Sequence, residues 1–341
     1  MSKVNWEILA FLRFILASVV MIGHLSEGRD LGFLKVFTYL GSFEAILGFL
    51  VISGFSIGRS IIRNQENYFK RRIFRIYPVY FASILLGLLT NNCSIHINIQ
   101  FFVTLLTNLF FLNNIVATIS DCHFFFNTPA WTLNVEVWMY CLAPFLLKLK
   151  KNTLFFFILA SFFCFLIYES GRSLFHWPYY FGTKYGINLV LFAFIWLAGF
   201  CLAIFPESYQ ENKRIIIFLF AGYLLLNIGK QIIFRLKHHS ISELVHTDIV
   251  FFLGNIICLA LVYFILLYSF KATTLKPFTK RVFNLLGNLS YPLYLTHCTT
   301  FGFLAINYHF NNPYLLIIGA MIVSFLIYVT FDFYSRKRAL S

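Results

Sequence analysis

Two ionisable side chains, Arg13 and His24, interrupt the first apolar segment of the chain, which runs from Glu7 to Leu25. They stand eleven positions apart, which is three helical turns plus about 20°, so both project from one face of a helix. Along the axis they are separated by about 16 Å, roughly half of a bilayer hydrocarbon core. Because ionisable groups at that depth are costly and usually face a bundle interior or a water-filled cavity, the pair predicts a functional site.

A carboxylate and a second histidine lie inside later apolar segments. Glu136 is about a turn and a half inside the span 130–147. His297 is about fourteen residues from the cytoplasmic end of the span 283–305, or about 21 Å into a bilayer. A buried carboxylate must be paired or functional, whereas a lone histidine could simply bond a neighbouring backbone group. In the topology predicted below, His24, Glu136 and His297 share the outer half of the membrane, which favours a common site.

A dense cationic run, FKRRIFRIYP from Phe69 to Pro78, enters the third apolar span. Arg72 and Arg75 are three positions apart and share a helix face, and their guanidinium groups suit the oxygens of a phosphate. The same run also fits a topology signal, since basic residues collect at the cytoplasmic ends of membrane helices. If the run binds phosphate, Arg13 would continue a polar path from it toward the outer groups.

The composition restricts the class of protein. Of 341 residues, 60% are hydrophobic and 12% are charged, about half the charge of a typical soluble domain, so a polytopic membrane protein is indicated. Arg13 interrupts the first segment and no small-residue cleavage site follows, which favours a retained helix over a signal peptide. The net charge of +14 lies in clusters beside apolar spans, as expected for membrane topology and anionic lipids and not for nucleic acid. The seven cysteines show no CxxC or histidine-rich spacing, so no metal site is expected.

The arrangement of the basic clusters predicts the topology. We expect an all-α, polytopic membrane helix bundle of about ten transmembrane helices, forming a single domain over residues 1–341 with both termini cytoplasmic. The five clusters fall on one side of the membrane only if the amphiphilic segment 99–116 does not cross. The clusters are 63–75, 148–151, 213–214, 271–281 and 336–338.

Two outer segments follow from this topology. Residues 91–129 are predicted to form an outer loop with a re-entrant or interfacial piece, in which Cys93 and Cys122 could form a disulfide if the compartment is oxidising. The basic segment 231–248, which includes Arg235, is either an ordinary solvated loop or a surface for an anionic substrate. The predicted spans are 8–26, 39–61, 76–90, 130–147, 153–168, 186–205, 215–230, 249–270, 283–305 and 313–334.

The segment 48–58 carries Gly54 and Gly58 with a small-xxx-small spacing. This spacing lets membrane helices approach closely. It predicts either tight helix packing or a direct place in a substrate tunnel.

Five motifs occur in order over nearly the whole chain. They are Arg13 with His24 (arginine, ten residues, histidine), Ile52-Ser53-Gly54-Phe55, Arg72-Ile73-Phe74-Arg75 continuing into Ile76-Tyr77-Pro78, Trp131-Thr132-Leu133-Asn134-Val135-Glu136, and Ser290-Tyr291-Pro292-Leu293-Tyr294-Leu295-Thr296-His297. Together they resemble the membrane-bound acyltransferase type 3 family, in its form without an appended extracellular hydrolase-like domain. Thr132 stands where that family usually has serine, and Gly48-Phe49 stands where an aromatic pair is common.

The resemblance implies an integral-membrane O-acyltransferase, most often an O-acetyltransferase, in the bacterial inner membrane. It would move an acyl group from cytoplasmic acyl-CoA, most simply acetyl-CoA, to a hydroxyl of a surface polysaccharide or lipopolysaccharide sugar, or of its lipid-linked precursor. His24 would act as general base, Glu136 would orient His24 or hold the acceptor, and His297 would assist proton transfer or stabilise the oxyanion. The implied catalytic residues are His24, Arg13, Glu136 and His297; the donor-binding residues are Arg72, Arg75 and Tyr77; the other substrate-binding residues are Trp131, Ser53 and Tyr291.

Two alternatives stay open at this point. Intramembrane histidine, glutamate and arginine also form proton relays in transporters, although many transporters show internal repeats and no second copy of the Arg13–His24 pattern occurs here. An acyltransferase could also use succinyl-CoA or a small-molecule acceptor.

Overall fold

The structure of the protein, a computed structural model, describes residues 4–90, 99–116, 129–271 and 274–333. Within these ranges the chain is helical, with turns between the helices and no β-strand. The predicted Cys93–Cys122 pair and the basic tail 336–338 lie outside the described residues. The α-helices are α1 (Trp6–Leu25), α2 (Lys35–Thr38), α3 (Ser42–Arg63), α4 (Tyr68–Thr90), α5 (Ile99–Leu109), α6 (Ala130–Leu146), α7 (Lys151–Phe175), α8 (Ile187–Ile204), α9 (Tyr209–Lys237), α10 (Ile249–Tyr268), α11 (Pro277–Tyr308) and α12 (Pro313–Ile327).

Every predicted apolar span coincides with one of the longer helices. In the described part of the chain, eight helices have the length and hydropathy needed to cross a membrane. The two predicted spans outside that group are α6, which has 17 residues, and α11, which has 32 residues but a more polar sequence. These two helices carry Glu136 and His297; α6 falls outside the group by its length, and α11 falls outside it by the polar residues among which His297 lies. The all-helical membrane architecture is thus confirmed, while ten crossings and cytoplasmic termini stay predictions.

The segment 99–116 contains a short helix and a turn. Helix α5 has 11 residues and rises about 16 Å, roughly half of a hydrocarbon core, as expected of a segment that does not cross. Its C-terminal end is held by hydrogen bonds from α4 and α6: Tyr80 Oη donates to the Asn108 carbonyl at 2.9 Å, and Trp138 Nε1 donates to the Phe111 carbonyl at 2.9 Å.

Helices α3 and α8 approach closely at the centre of the bundle because glycines face each other there. A Cβ atom at Gly54 would overlap the carbonyl of Trp196, and one at Gly199 would overlap the carbonyl of Val51. A Cβ at Gly58 would lie 2.6 Å from the Cβ of Ala203. The small-xxx-small pattern therefore serves helix packing, the first of its two predicted roles.

Helices α1 and α11 run parallel and in register. Near their first turns Glu7 accepts an ion pair from Lys280 at 3.0 Å, and seventeen residues further along both helices His24 meets His297. A Cβ atom at Gly287 would lie only 2.3 Å from the Cβ atom of Ala10, which is a steric clash. A glycine is therefore needed at this point, where the two helices touch between the ion pair and the histidine pair. This pairing places the two histidines opposite each other. They lie about 25 Å from the ion pair, measured along the helix axes.

Candidate active site

A cavity with about 910 Å³ of empty space, part of it open to the surroundings, lies between α1, α3, α4, α6 and α11, and we name it the arginine cavity. It brings together six of the predicted site residues. All three predicted arginines of the site line it, with one carboxyl group, so its ionisable lining is predominantly cationic. The six residues are Arg13, Ser53, Arg72, Arg75, Glu136 and Tyr291.

Arg13 reaches from α1 toward α3. One of its guanidinium nitrogens donates a hydrogen bond to Ser56 Oγ, and Ser56 Oγ donates to the Ile52 carbonyl at 2.7 Å. Ser56 was not among the residues predicted from the sequence, although its position three residues after Ser53 puts both serines on one helix face. The serine face of α3 thus lines the cavity while its glycine face packs on α8.

Arg72 of α4 also lines this cavity. Its Nη2 donates to Ser60 Oγ at 3.1 Å, and its guanidinium carbon lies 5.9 Å from the centre of the Tyr68 ring. Its Nε is buried and has no hydrogen-bond partner among the residues that the structure describes. A buried guanidinium with an unused donor is suited to an anionic ligand, because it can still form a charge-assisted hydrogen bond.

Glu136 belongs to the arginine cavity and not to the surroundings of His24. Tyr140 Oη donates to Glu136 Oε2 at 2.6 Å, and Ser53 Oγ lies 2.9 Å from Tyr140 Oη. Arg13 and Arg75 are close enough to interact electrostatically with this carboxyl group. The neighbours of Glu136 are therefore a tyrosine and two arginines. The family resemblance implied that Glu136 would either orient His24 or hold the acceptor, and this position does not support the first of these roles.

A second cavity, which we name the histidine cavity, holds His24 and Trp131. It contains about 1810 Å³ of empty space, part of it open to the surroundings. Its lining combines aromatic rings with a few charged groups, namely Glu27 and Arg29. Trp131 is buried and packs against Phe192, with 5.1 Å between ring centres.

The two histidines form a hydrogen-bonded pair whose tautomers follow from their partners. His297 Nδ1 lies 2.9 Å from the Leu293 carbonyl, and since a carbonyl only accepts, this nitrogen must carry the hydrogen. His297 Nε2 then has the lone pair, so His24 Nδ1 donates to it across 3.0 Å. In the neutral pair, His24 keeps its own lone pair on Nε2. The His24 ring lines the histidine cavity, whereas His297 is fully buried behind it.

Ile46 and Tyr294 line both cavities and so form the boundary between them. Tyr294 Oη lies 2.6 Å from Thr132 Oγ1, which joins α11 to α6 at this boundary. Thr132 is the residue that replaces the family's usual serine, and its hydroxyl keeps the hydrogen bond that a serine could make. The continuous polar path that the sequence predicts is therefore divided in the structure into two cavities, which the Tyr294 side chain separates.

Tyr77 and Tyr291 are placed differently from each other. Tyr291 lines the arginine cavity and donates to the Ile76 carbonyl at 3.1 Å. Tyr77 does not line that cavity; its ring lies 6.4 Å from Phe81 and 6.3 Å from Phe111. Donor binding by Tyr77 stays a prediction, and the structure places its ring in an aromatic contact beside the cavity.

The connection between α7 and α8 contributes Tyr179 and Phe181 to the histidine cavity. Asn114 Nδ2 lies within hydrogen-bond distance of three backbone carbonyls of this connection, the nearest being that of Thr183 at 2.9 Å, and its two hydrogens hold the connection in place. Burial raises the pKa of Tyr179 to about 12. The tyrosine is therefore a neutral hydrogen-bonding group at physiological pH. The only sequence signal for this contact of Asn114 was the polarity of segment 99–116.

An ion-pair cluster anchors the same connection to the bundle. Glu169 of α7 accepts from Arg172 at 2.7 Å and from Lys230 and Tyr180 at short distances. This buried carboxylate was not singled out from the sequence, because it lies near the end of an apolar span where a solvated residue is equally common.

Arg235 in the basic segment 231–248 is also paired. Its Nε and Nη2 each donate to one carboxylate oxygen of Asp248, both at 2.8 Å. A basic surface for an anionic substrate would therefore have to rely on the neighbouring lysine and histidines, Lys237, His238 and His239.

Comparison with known proteins places this site in a family. The sequence pattern of a family described as an acyltransferase domain, of the type 3 acyltransferases, matches residues 6–332. The chain belongs to this family, as the five motifs indicated, and the membership favours acyl transfer over proton-coupled transport.

A relative and the solved structures add little detail. ORF330 of Acidianus two-tailed virus, which carries the provisional name acetyltransferase, is 25% identical over 245 residues, covering 69% of this chain. The match spans 65% of that relative's own length, slightly less than two thirds. No solved structure matches the chain.

Proposed function

We propose that the protein transfers an acyl group, most simply acetyl, from acyl-CoA to a hydroxyl group of a sugar acceptor. The observation that carries the proposal is the His24–His297 pair, whose hydrogen bonds leave a lone pair on His24 Nε2 in an open cavity. A cavity lined by three arginines adjoins it. Together they offer a base for a hydroxyl and a cationic pocket for a phosphate-bearing donor.

The proposed reaction begins at His24. Nε2 takes the proton of the acceptor hydroxyl, and the oxygen attacks the thioester carbonyl carbon. The tetrahedral intermediate then loses the carbon–sulfur bond. The CoA sulfur leaves with the electron pair and takes the proton back from His24. The products are the acylated acceptor and the free thiol of CoA.

In this scheme His297 is a positioning residue. Its Nε2 accepts the His24 Nδ1 hydrogen before and after His24 is protonated, which holds the ring and its tautomer. The same division of labour operates in serine hydrolases, where a third group orients the catalytic histidine. His297 is fully buried and does not need to touch a substrate.

The arginine cavity is the proposed donor site. Arg72 and Arg75 bind the phosphates of the nucleotide, and Arg13 lies deeper, where it guides the pantetheine arm. Glu136 and Tyr140 fix the arrangement of the cavity wall. The thioester would reach His24 by passing Tyr294, which separates the two cavities.

The acceptor is proposed to bind in the histidine cavity. Aromatic side chains with a few charged groups at the rim suit a sugar, which presents apolar ring faces and hydroxyls together. We propose a surface polysaccharide, a lipopolysaccharide sugar or its lipid-linked precursor, reached at the outer face of a bacterial inner membrane. Acyl-CoA would enter from the cytoplasmic face, where the cluster around Arg72 is expected.

The test uses inside-out membrane vesicles that contain the protein and labelled acyl-CoA added outside. Label should appear on glycan inside the vesicles with the wild type and with the control Cys164→Ala, whose side chain lies on the exposed surface of α7. It should be lost with His24→Ala at equal protein levels. Label transfer by His24→Ala at the normal rate, or donor use only from the lumen, would refute the proposal.

A further inference from the structure

Cys298 completes a group of three potential metal ligands at the histidine pair. The ligand atoms of His24, His297 and Cys298 all lie within 4.8 Å of one another. His24 and Cys298 line the histidine cavity, while His297 lies directly behind them. No metal-ligand spacing is visible in the sequence, because His24 lies in α1 and the other two residues lie in α11.

The donor set and its supports favour a thiophilic cation. Imidazole and thiolate ligands suit Zn²⁺, whereas Mg²⁺ and Ca²⁺ prefer oxygen. His297 donates Nδ1–H to the Leu293 carbonyl, which is the usual outer contact of a metal-binding histidine and leaves Nε2 free to bind. In tetrahedral zinc sites the ligand atoms are about 3.3–3.8 Å apart. The 3.0 Å between the two nitrogens needs to widen slightly, and the separations between ligand atoms that approach 4.8 Å need to shorten by about 1 Å.

We propose that His24 Nδ1, His297 Nε2 and Cys298 Sγ form a Zn²⁺ site, and that the cation acts as an inhibitor. The histidine cavity gives the ion a route in, and Glu27 in the cavity wall adds negative charge near it. With three protein ligands, the cation would keep a fourth position for water.

The proton transfers that accompany metal binding explain why the cation would inhibit acyl transfer. On binding, Cys298 loses its thiol proton to solvent. The proton on His24 Nδ1 moves to Nε2 of the same ring, so that Nδ1 can donate its electron pair to the metal. Nε2 then carries a hydrogen and cannot accept one from a hydroxyl. The loss of activity therefore rests on the proposed function, whereas the binding site does not.

Direct binding is tested with the purified full-length protein in detergent. Co²⁺ is the spectroscopic probe, since a thiolate ligand gives a charge-transfer band that histidine alone does not. The band should appear with the wild type and with the control Cys258→Ser, a buried cysteine on α10. It should be absent with Cys298→Ser, which should also weaken Zn²⁺ binding by about tenfold or more.

Activity is measured separately. Zn²⁺ should inhibit acyl transfer by the wild type, and the Zn²⁺ concentration for half inhibition should be about tenfold or more higher for Cys298→Ser. Equal Zn²⁺ affinity in the wild type and Cys298→Ser, or a Co²⁺ spectrum without the thiolate band, would overturn the site. Tight binding with unchanged or increased transfer would overturn the inhibition. A protein with no acyl transfer at all would refute the proposed function, and the binding measurements would still decide the site.

Discussion

His24 Nδ1 and His297 Nε2 lie 3.0 Å apart although 273 residues separate them along the chain. The contact depends on the parallel packing of α1 and α11, and the Glu7–Lys280 ion pair joins the same two helices near their first turns. A hydrogen bond between two neutral imidazoles requires one donor and one acceptor. Because the Leu293 carbonyl makes His297 the acceptor, the pair has a direction.

The first prediction concerns His297. Replacing it with phenylalanine removes the acceptor for His24 Nδ1–H, so His24 loses its preferred tautomer and orientation. We expect kcat to fall by about 10² to 10⁴-fold, while the KM for acyl-CoA changes little, because His297 does not line the arginine cavity. Steady-state kinetics in proteoliposomes measure both.

The informative comparison for this prediction is His297→Gln, whose side-chain oxygen can still accept a hydrogen bond. It should recover part of the kcat lost in His297→Phe. If both variants were equally impaired, with KM raised as well, His297 would be acting through the fold and not by orienting His24.

The second prediction concerns donor binding. Arg72→Gln or Arg75→Gln removes one charged hydrogen-bond donor from the arginine cavity, and such a bond to a charged group contributes about 1.5–3 kcal/mol. We therefore expect the KM for acyl-CoA to rise by about 10- to 100-fold, with a smaller change in kcat. Kinetics at varied acyl-CoA concentration measure this.

Arg63→Gln is the matched control for the second prediction. Arg63 is exposed, ends α3 in the same basic cluster, and does not line the arginine cavity. An equal rise in KM for this variant would mean that the cluster attracts the donor by its general charge. It would contradict a specific phosphate contact.

The third prediction concerns packing of α3 on α8. A Cβ at Gly54 would overlap the Trp196 carbonyl, so Gly54→Ala must push two backbones apart. We expect the free energy of unfolding to fall by about 1–3 kcal/mol, because overpacking a close contact is destabilising. Thermal unfolding of the purified protein in detergent, followed by the fraction that remains monodisperse, measures this change.

Gly229→Ala provides the control for that measurement. Gly229 lies in α9 with nothing within 4 Å of an added Cβ. Alanine there should leave stability unchanged or raise it by up to about 1 kcal/mol, since glycine weakens a helix interior. Similar destabilisation at both positions would contradict the packing role of Gly54.

The helices and their cationic pocket could be predicted from the sequence because those signals are local. Apolar length marks each span, and the three-residue spacing of Arg72 and Arg75 puts both on one face. Both residues do line one cavity. The depth of His24 and His297 in their spans also predicted that they share a level in the bundle.

The partners of the site residues could not be predicted in the same way. Whether Glu136 contacts His24 or Tyr140 depends on the rotation of α6 about its own axis. The sequence does not determine that rotation, because several faces of α6 have mixed polarity. Ser56, the partner of Arg13, is an ordinary small residue with no sequence signal beyond its spacing from Ser53. The boundary at Tyr294 arises from the packing of α11 against α3 and α6. The packing between helices cannot be predicted from the sequence of any one of them.

The last prediction concerns that boundary. Ile46 and Tyr294 line both cavities, so truncating Tyr294 to alanine should join the arginine cavity to the histidine cavity. Water from the open cavity would then reach the thioester. We expect acyl-CoA hydrolysis without acceptor to rise several-fold, and the ratio of transfer to hydrolysis to fall. Tyr294→Phe is the matched variant, because it loses the hydroxyl bonded to Thr132 but keeps the ring between the cavities. Release of free CoA thiol, measured with and without acceptor, distinguishes the two variants. If Tyr294→Phe hydrolysed acyl-CoA as fast as Tyr294→Ala, the hydroxyl and not the bulk of the ring would be what protects the thioester.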